Sequence, residues 1–223
     1  MPANAQQTYF TDVNSKLIKT LQVKVAGEFI SEPYIELNGD QQIQINFDAL
    51  EQGGVRYSYS IIHCDANWQK SILSPIQYMS GFQGLTIDDF ANSINTTTQY
   101  TNYNLLLPNE DIQFKVSGNY AVQIYNEDIP DQIVLTACFS VVEPMVGISA
   151  SVSGNTDIDT NQTHQQVSFT INNKNFPIPY PQTDLKIHVY QDNRRDNAVT
   201  DLQPMSILEN QISYTYNRNL IFP

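Results

Sequence analysis

A histidine, a cysteine and an aspartate adjoin at His63-Cys64-Asp65, and together they could form a nucleophilic site. A cysteine thiolate activated by a histidine is an effective nucleophile, and a third group can orient the histidine. Neighbouring residues of a strand point to opposite faces of a sheet, so a histidine and a cysteine that adjoin in sequence do not meet there. The pattern therefore favours a buried, structural thiol at Cys64.

A second candidate is a metal site at Asp157, Asp159 and Asn161, whose spacing matches the start of an EF-hand calcium loop. The sixth position of that loop requires glycine and is Gln162, and the twelfth requires glutamate and is Ser168. The three histidines of the chain are scattered and lack the spacing of metal ligands. A solvated turn is the interpretation that the sequence favours.

The remaining candidates are three pairs of adjacent carboxylates, all in segments typical of turns. They are Asp88-Asp89, Glu110-Asp111 and Glu127-Asp128. Two carboxylates can hydrolyse a glycosidic bond, but nothing in the sequence selects a pair. The sequence contains neither a Gly-rich phosphate loop nor a nucleophile elbow. It therefore predicts a protein that is not an enzyme, with no catalytic residues, no cofactor and no metal.

The elements that would position these residues are predicted to be strands. Residues 55–62 alternate between apolar and polar types, with aromatic and β-branched side chains, as a half-buried strand does. A run at 34–47 with Asn38-Gly39 near its middle predicts one β-hairpin. A run at 112–124 with Ser117-Gly118-Asn119 at its middle predicts a second.

The succession of short strands and turns predicts an all-β chain with two immunoglobulin-like, Greek-key β-sandwich domains. Residues 1–16 are polar and are expected to form a flexible N-terminal arm. Residues 17–143 form the first sandwich, with an irregular excursion at 66–100, and a boundary follows at Glu143-Pro144. Residues 144–223 form a second sandwich that we expect to be incomplete, because no closing strand follows its last segment.

Composition narrows the classes of partner. Of the 223 residues 41% are hydrophobic and 11% aromatic, which is sufficient for packed cores. The formal net charge is −12, with 16 acids against 6 bases in residues 1–143. So acidic a chain is not expected to bind nucleic acid or anionic lipid directly. Ala3-Asn4-Ala5 resembles the end of a secretory signal, which suggests that a signal was trimmed.

Two cysteines and one tryptophan carry structural predictions. Cys138 belongs to the strand predicted around 133–142, on the face with the weaker apolar pattern, and we expect it and Cys64 to remain separate thiols. Trp68, the only tryptophan, directly follows a strong strand. A large aromatic there is expected to be mostly buried and to anchor the irregular excursion to the first sandwich.

Five motifs, in their order and spacing, resemble the type IX secretion system plug protein family. The motifs are Tyr59-Ser60-Ile61-Ile62-His63-Cys64-Asp65-Ala66-Asn67-Trp68, Leu73-Ser74-Pro75-Ile76-Gln77-Tyr78-Met79-Ser80-Gly81-Phe82, Leu107-Pro108-Asn109-Glu110-Asp111, Ser117-Gly118-Asn119-Tyr120 and Phe139-Ser140-Val141-Val142-Glu143-Pro144. The resemblance extends from about Leu17 to Pro223 and is more specific in the first domain. Ala137-Cys138 departs from it, because the family tends to carry basic residues there.

The resemblance implies a periplasmic protein at the inner face of the outer membrane. It implies docking on the outer-membrane β-barrel translocon of the secretion system and closure of its pore, a binding role without catalysis. We expect the isolated protein to be a monomer. The alternative hypothesis is a secreted carbohydrate-binding β-sandwich module, since sandwiches rich in tyrosine and tryptophan often bind glycans.

The excursion at 66–100 is the segment that we expect to contact the partner, because long irregular segments in compact domains are often functional. Its aromatic residues Tyr78, Phe82 and Phe90 are the predicted partner-binding residues. The same aromatic side chains could instead pack back on the sandwich, and the sequence leaves both possibilities open.

Overall fold

The structure is a computed structural model that describes residues 7–51, 55–158, 163–192 and 194–223. The chain divides into two compact units, Met1–Glu143 and Pro144–Pro223. Strands make up most of the regular structure of both units.

The described residues of the first unit form twelve strands and one short helix. In chain order these are β1 (Asp12–Val13), β2 (Ile18–Val25), β3 (Tyr34–Glu36), β4 (Ile43–Ala49), β5 (Tyr57–Cys64), α1 (Pro75–Tyr78), β6 (Met79–Ser80), β7 (Leu85–Thr86), β8 (Phe90–Asn92), β9 (Thr101–Leu107), β10 (Gln113–Phe114), β11 (Gly118–Asn126) and β12 (Ile133–Val142).

The two larger sheets of this unit stack face to face around one core. One sheet has the order β2-β4-β9-β8. The other has the order β1-β12-β11-β5-β7, with β3 parallel to β12. In chain order β2, β4, β5, β8, β9, β11 and β12 take the places of strands A to G of a constant-type immunoglobulin domain, with ABED facing CFG. The predicted immunoglobulin-like β-sandwich is confirmed.

Alternation of apolar and polar residues produces this core. In β4 every second residue is buried, from Ile43 to Ala49, and β9 pairs with it in the same phase. Phe47 of β4 lies directly opposite Tyr103 of β9, and the two rings stack with their centroids 5.2 Å apart. On the outer face the amides bond to one another, as Gln44 Nε2 does in donating to Asn104 Oδ1 at 2.7 Å.

A tyrosine fixes the corner where the chain crosses between the sheets before β11. Tyr120 is fully buried, and its hydroxyl donates to the carbonyl of Val116 at 2.7 Å. A tyrosine near the start of strand F with this bond is the tyrosine corner of immunoglobulin-like sandwiches. Gly118 leads into the corner with φ +142°, and a Cβ there would lie 2.3 Å from Nε2 of His63. Only glycine fits at that position.

Both predicted hairpins are wrong, because the turn signals are real but the strands on either side join different partners. β3 pairs with β12 in the first sheet, whereas β4 lies in the second. β10 likewise pairs with β6, while β11 pairs with β5 and β12. In both places the chain changes sheet where the sequence predicted a return along the same sheet.

The predicted flexible arm at 1–16 is also wrong over its described part, which begins at residue 7. β1 pairs with β12 in antiparallel register, Asp12 opposite Thr136. Tyr9 is buried and its N–H donates to the carbonyl of Trp68 at 2.8 Å. The arm is held because the buried aromatic residue Tyr9 covers an apolar cluster on the outer face of the sheet.

That outer-face cluster contains Tyr9, Cys64, Ala121 and Cys138, with Trp68 packed against it. Both cysteines are buried, and no disulfide joins them. They lie on β5 and β12, which flank β11, so two strand spacings of about 5 Å separate them. A disulfide needs Cα atoms within about 7 Å, so the two thiols remain separate.

Trp68 differs from its prediction. It is half-buried, and it packs on the outer-face cluster and not in the sandwich core. It occupies the left-handed region, φ +60°, in a tight turn where Asp65 Oδ1 accepts from the N–H groups of Asn67 and Gln69. The turn places the indole of Trp68 against the outer face of the sheet.

The excursion predicted to be irregular at 66–100 contains regular elements. α1 and three short strands, β6, β7 and β8, lie within it. β7 pairs with β5 and β8 pairs with β9, so the excursion extends one edge of each sheet. These strands are two or three residues long, which is too short for an alternating pattern in the sequence to predict them.

The described residues of the second unit form seven strands, an α-helical turn and a 3-10 turn. These are β13 (Gly147–Ser153), β14 (Gln165–Asn172), α2 (Pro181–Asp184), β15 (Val189–Gln191), β16 (Arg194–Val199), β17 (Ser206–Leu208), β18 (Gln211–Tyr214), the 3-10 turn (Arg218–Leu220) and β19 (Ile221–Phe222). The main sheet has the order β13-β14-β18-β17, with β19 paired to β14, and β15 and β16 form a separate pair. Its core includes Phe169, Ile171 and Ile212.

Candidate docking surface

The segment at residues 70–84 follows β5 after the turn at 65–69, and its first residues are tied to the end of that strand. Lys70 forms an isolated antiparallel β-bridge with Cys64, and the N–H of Ser71 donates to the carbonyl of His63 at 2.9 Å. The ring of His63 lies 2.8 Å from Ser71 Oγ through Nδ1 and 3.2 Å from the carbonyl of Ser117 through Nε2. A carbonyl can only accept, so Nε2 donates to it, and in the neutral ring Nδ1 accepts from the hydroxyl of Ser71. A buried histidine thus fixes the start of the segment.

The middle of the segment is the single turn α1, and polar contacts hold both of its ends. Gln77 Oε1 accepts from the N–H and from the hydroxyl of Ser74, both at 2.8 Å. Lys115 Nζ donates to the carbonyl of Ile76 at 3.0 Å. β6 follows at once and pairs with β10, with Met79 opposite Phe114. A turn this short would not persist alone in water, so these contacts define its conformation.

The end of the segment is held by Tyr78 and Gln83. Tyr78 is 4% exposed, stacks on His63 with centroids 5.7 Å apart, and donates to the carbonyl of Ile61 at 2.7 Å. The amide of Gln83 accepts from the N–H of Ile61 and donates to its carbonyl, each at 2.7 Å. Between them, Gly81 has φ +106°, and a Cβ there would overlap the carbonyl of Asp111 at 2.0 Å. The backbone of the segment is therefore closely constrained.

Three large apolar side chains project from this constrained backbone into solvent. Ile72 is fully exposed, Ile76 is 77% exposed and Phe82 is 79% exposed. We call Ile72, Ile76 and Phe82 the apolar surface. Scattered exposed apolar residues are normal, but a group of them on one short, ordered segment is typical of an interaction site.

Two adjoining concavities accompany the apolar surface. One, of about 400 Å³, is lined by Ile72, Lys70 and Tyr78 among others. The second, of about 500 Å³, is lined by Ile76, Phe82 and Lys115 among others. They share Pro75 and Gln83 as a common wall. Both are open depressions of a size that accommodates side chains of a partner.

The predicted partner-binding residues take three different positions. Tyr78 is a core residue of the segment and only 4% exposed, so the prediction is corrected for it: its side chain meets a partner only as part of the wall of the smaller concavity. Phe82 belongs to the apolar surface. Phe90 is half exposed on β8 in the other sheet, where it packs against Tyr103 with centroids 5.8 Å apart. The structure thus brings Phe82 together with Ile72 and Ile76, which the sequence did not single out.

The residues considered for chemistry have structural roles. His63 faces the core while Cys64 joins the outer-face cluster, so the two side chains are on opposite faces as predicted. Burial, followed by the nearby carboxylate of Asp65, raises the pKa of the Cys64 thiol to about 11. A thiol that stays protonated at neutral pH is a poor nucleophile.

Two of the candidate carboxylates, Glu127 and Asp157, accept hydrogen bonds from neighbouring side chains. Glu127 accepts from Ser58 Oγ at 2.8 Å and from Thr86, and it pairs with Arg56 at 3.0 Å. Hydrogen bonds from Thr86 and Ser58 hold the pKa of Glu127 below its ordinary value. Asp157 accepts from Gln166 Nε2 at 2.7 Å, and the EF-hand positions Asp159 and Asn161 lie outside the described residues. Among the described residues no group of three potential metal ligands converges.

No helix in the described part of the chain is long and apolar enough to cross a membrane. The strand order, the tyrosine corner and the apolar surface define an immunoglobulin-like β-sandwich protein with an exposed apolar surface on a structurally constrained segment. The chain belongs to the type 9 secretion system plug protein family, whose first-domain model matches residues 18–143. That range coincides with the first sandwich.

The comparison with solved structures agrees on the fold. A solved structure of a hypothetical protein from Parabacteroides merdae is 80% identical, with a TM-score of 0.96, and the match covers 98% of this chain. The chain spans 55% of the length of that protein. No curated protein matches the chain.

Proposed function

We propose that the protein is a periplasmic, non-enzymatic plug that docks, as a monomer, on the outer-membrane β-barrel translocon of the type 9 secretion system and closes its pore. Membership in the plug protein family supports a role in this system. The apolar surface supports docking, and it is the observation that carries the proposal for this chain. Phe82 and Ile76 expose more than three quarters of their area on a backbone that needs little ordering when a partner arrives.

A plug needs a contact face and bulk, and the first unit offers both without a reactive group. The His63 ring and the Cys64 thiol are enclosed in structural contacts. The buried Tyr78 and the amide of Gln83 hold the apolar surface from beneath. Removing the exposed side chains should therefore weaken docking without unfolding the domain.

Docking can be tested with the full-length protein and detergent-solubilised outer membranes from a bacterium that carries this secretion system. The tagged protein should retain the translocon barrel, identified by mass spectrometry. Ile76→Ser with Phe82→Ser should reduce its recovery. Phe29→Ser with Ile30→Ser is the matched control, because these side chains are equally exposed, at 90% and 86%, on a different turn.

Closure of the pore requires a second measurement. Deleting the gene should make the outer membrane permeable to vancomycin, which an intact outer membrane excludes. Wild-type protein should restore exclusion and the Ile76/Phe82 variant should not. If the wild-type protein fails to retain the barrel and deletion leaves permeability unchanged, the plug proposal is wrong. Tight binding in isothermal titration against a glycan panel would then favour the carbohydrate-binding alternative.

A further inference from the structure

The surroundings of the apolar surface differ in charge from the rest of the first unit. Residues 1–143 contain only six basic side chains, against 16 acidic ones. Two of those six, Lys70 and Lys115, line the two concavities, and none of the described residues that line them is acidic. The acidic unit therefore carries a face at this segment that is both basic and apolar.

Neither lysine forms an ion pair with a described acidic side chain. Across the described residues the single ion pair joins Arg56 to Glu127. Lys115 Nζ instead donates to the carbonyl of Ile76, which places the ammonium beside the apolar surface. The carboxylate of Asp65 accepts from the N–H groups of Asn67 and Gln69 through Oδ1 and forms no ion pair with Lys70. Positive charge at the two concavities thus remains available to a partner.

We propose that the face formed by Lys70, Ile72, Ile76, Phe82 and Lys115 binds an extended, acidic and apolar segment of the partner protein. Apolar side chains of that segment enter the two concavities on either side of Pro75. Carboxylates before and after them meet Lys70 and Lys115. This inference rests on the proposed function for the identity of the partner, but the chemistry of the segment follows from the face alone. Because the unit as a whole is acidic, the two lysines favour docking of an acidic segment at this face.

The test uses the full-length protein and three synthetic 12-residue peptides that share Leu and Phe positions and carry Glu, Gln or Lys between them. Binding is followed by NMR shifts and by fluorescence anisotropy at low and at physiological salt. The Glu peptide should bind at least about tenfold more tightly than the Lys peptide, and salt should narrow the difference because exposed charges are screened. Its shifts should map to residues 70–84 and Lys115.

Charge reversal provides the matched comparison. Lys70→Glu with Lys115→Glu should abolish the preference for the Glu peptide. Lys16→Glu with Lys19→Glu changes the net charge equally at exposed positions elsewhere and should leave the preference largely intact. Equal affinity for the three peptides, or no binding of the Glu peptide at millimolar concentration, would overturn the inference.

The same variants separate this inference from the proposed function. If the Glu peptide binds as described but the full-length protein does not retain the translocon barrel, the plug role fails and the basic, apolar face stands. If the protein retains the barrel and Lys70→Glu with Lys115→Glu retains it equally well, the role of the lysines is refuted while the plug role stands.

Discussion

Gly118 should be irreplaceable because His63 occupies the space that a side chain there would need. A Cβ at Gly118 would lie 2.3 Å from Nε2 and 3.1 Å from Cε1 of the ring. The ring cannot move aside easily, since it stacks on Tyr78, meets Tyr120 edge-on and bonds to Ser71. Gly118→Ala should therefore strain both the backbone and the core.

The expected cost has two parts. Placing a residue with a side chain at φ +142° costs about 1–3 kcal/mol. Overpacking against the His63 ring adds about 1–3 kcal/mol. The sum, about 2–6 kcal/mol, is a large share of the about 5–15 kcal/mol that holds a domain folded. Gly27→Ala is the control, because Gly27 has φ +82° but nothing within 4 Å of the added Cβ, so only the backbone part applies.

Urea denaturation followed by Trp68 emission measures the difference, since the chain has one tryptophan and it lies in the first unit. Gly118→Ala should lower the midpoint much more than Gly27→Ala does. In a His63→Ala background the ring is gone, so the additional cost of Gly118→Ala should fall to about that of Gly27→Ala, a coupling of about 1–3 kcal/mol. Additive effects of the two substitutions, or equal effects of the two glycine variants, would refute the steric argument. Should Gly118→Ala alone fail to fold, recovery of folding in the double variant gives the same answer.

Three further outcomes follow from contacts in the first unit. Tyr120→Phe removes the bond to the carbonyl of Val116 and should lower the melting temperature by about 3–10 °C, whereas the exposed Tyr34→Phe should change it by about a degree at most. The lowered pKa of Glu127 means that its stabilising contribution is complete above its ordinary value of 4.5 and is lost as pH falls through the lower folded-state value. The stability difference between wild type and Glu127→Gln, from urea midpoints, should therefore shrink from pH 7 to pH 3, and a constant difference would contradict the assignment. Tyr9→Ala should expose Cys64 and Cys138, so that alkylation without reductant, followed by mass spectrometry, proceeds at least about tenfold faster than in Phe10→Ala, whose side chain is already half exposed; equal rates would show that Tyr9 does not protect the thiols.

The sequence predicted the long strands because each has a side chain on a buried face at every second position. This pattern predicts β4, β9 and β12, and the number of such strands predicts the all-β class. The sequence did not predict which strands pair with one another. A turn signal such as Asn38-Gly39 reports a local change of direction, and it does not report whether the next strand joins the same sheet or the facing one.

The candidate site was only partly predictable. Phe82 could be singled out as an aromatic residue in a segment without strand pattern, but so could Tyr78, which is buried. Which of the two faces solvent depends on α1, β6 and the contacts with His63, all of which are tertiary. Ile72 and Ile76 gave no signal, because isolated aliphatic residues in a polar segment look the same whether they are buried or exposed. The basic character of the face depends on Lys115, which is distant in sequence from residue 70.

The amide of Gln83 has a consequence for how molecules of this protein coexist at high concentration. The outer margin of β5 at residues 60–62 has no neighbouring strand, and an unpaired strand margin invites another chain to add to the sheet. Gln83 imitates a peptide unit there and occupies both the N–H and the carbonyl of Ile61. Self-association through β5 would first have to displace that side chain. The side chain of Gln83 thus hinders edge-to-edge aggregation through β5. The exposed apolar residues of the same segment remain accessible to a partner.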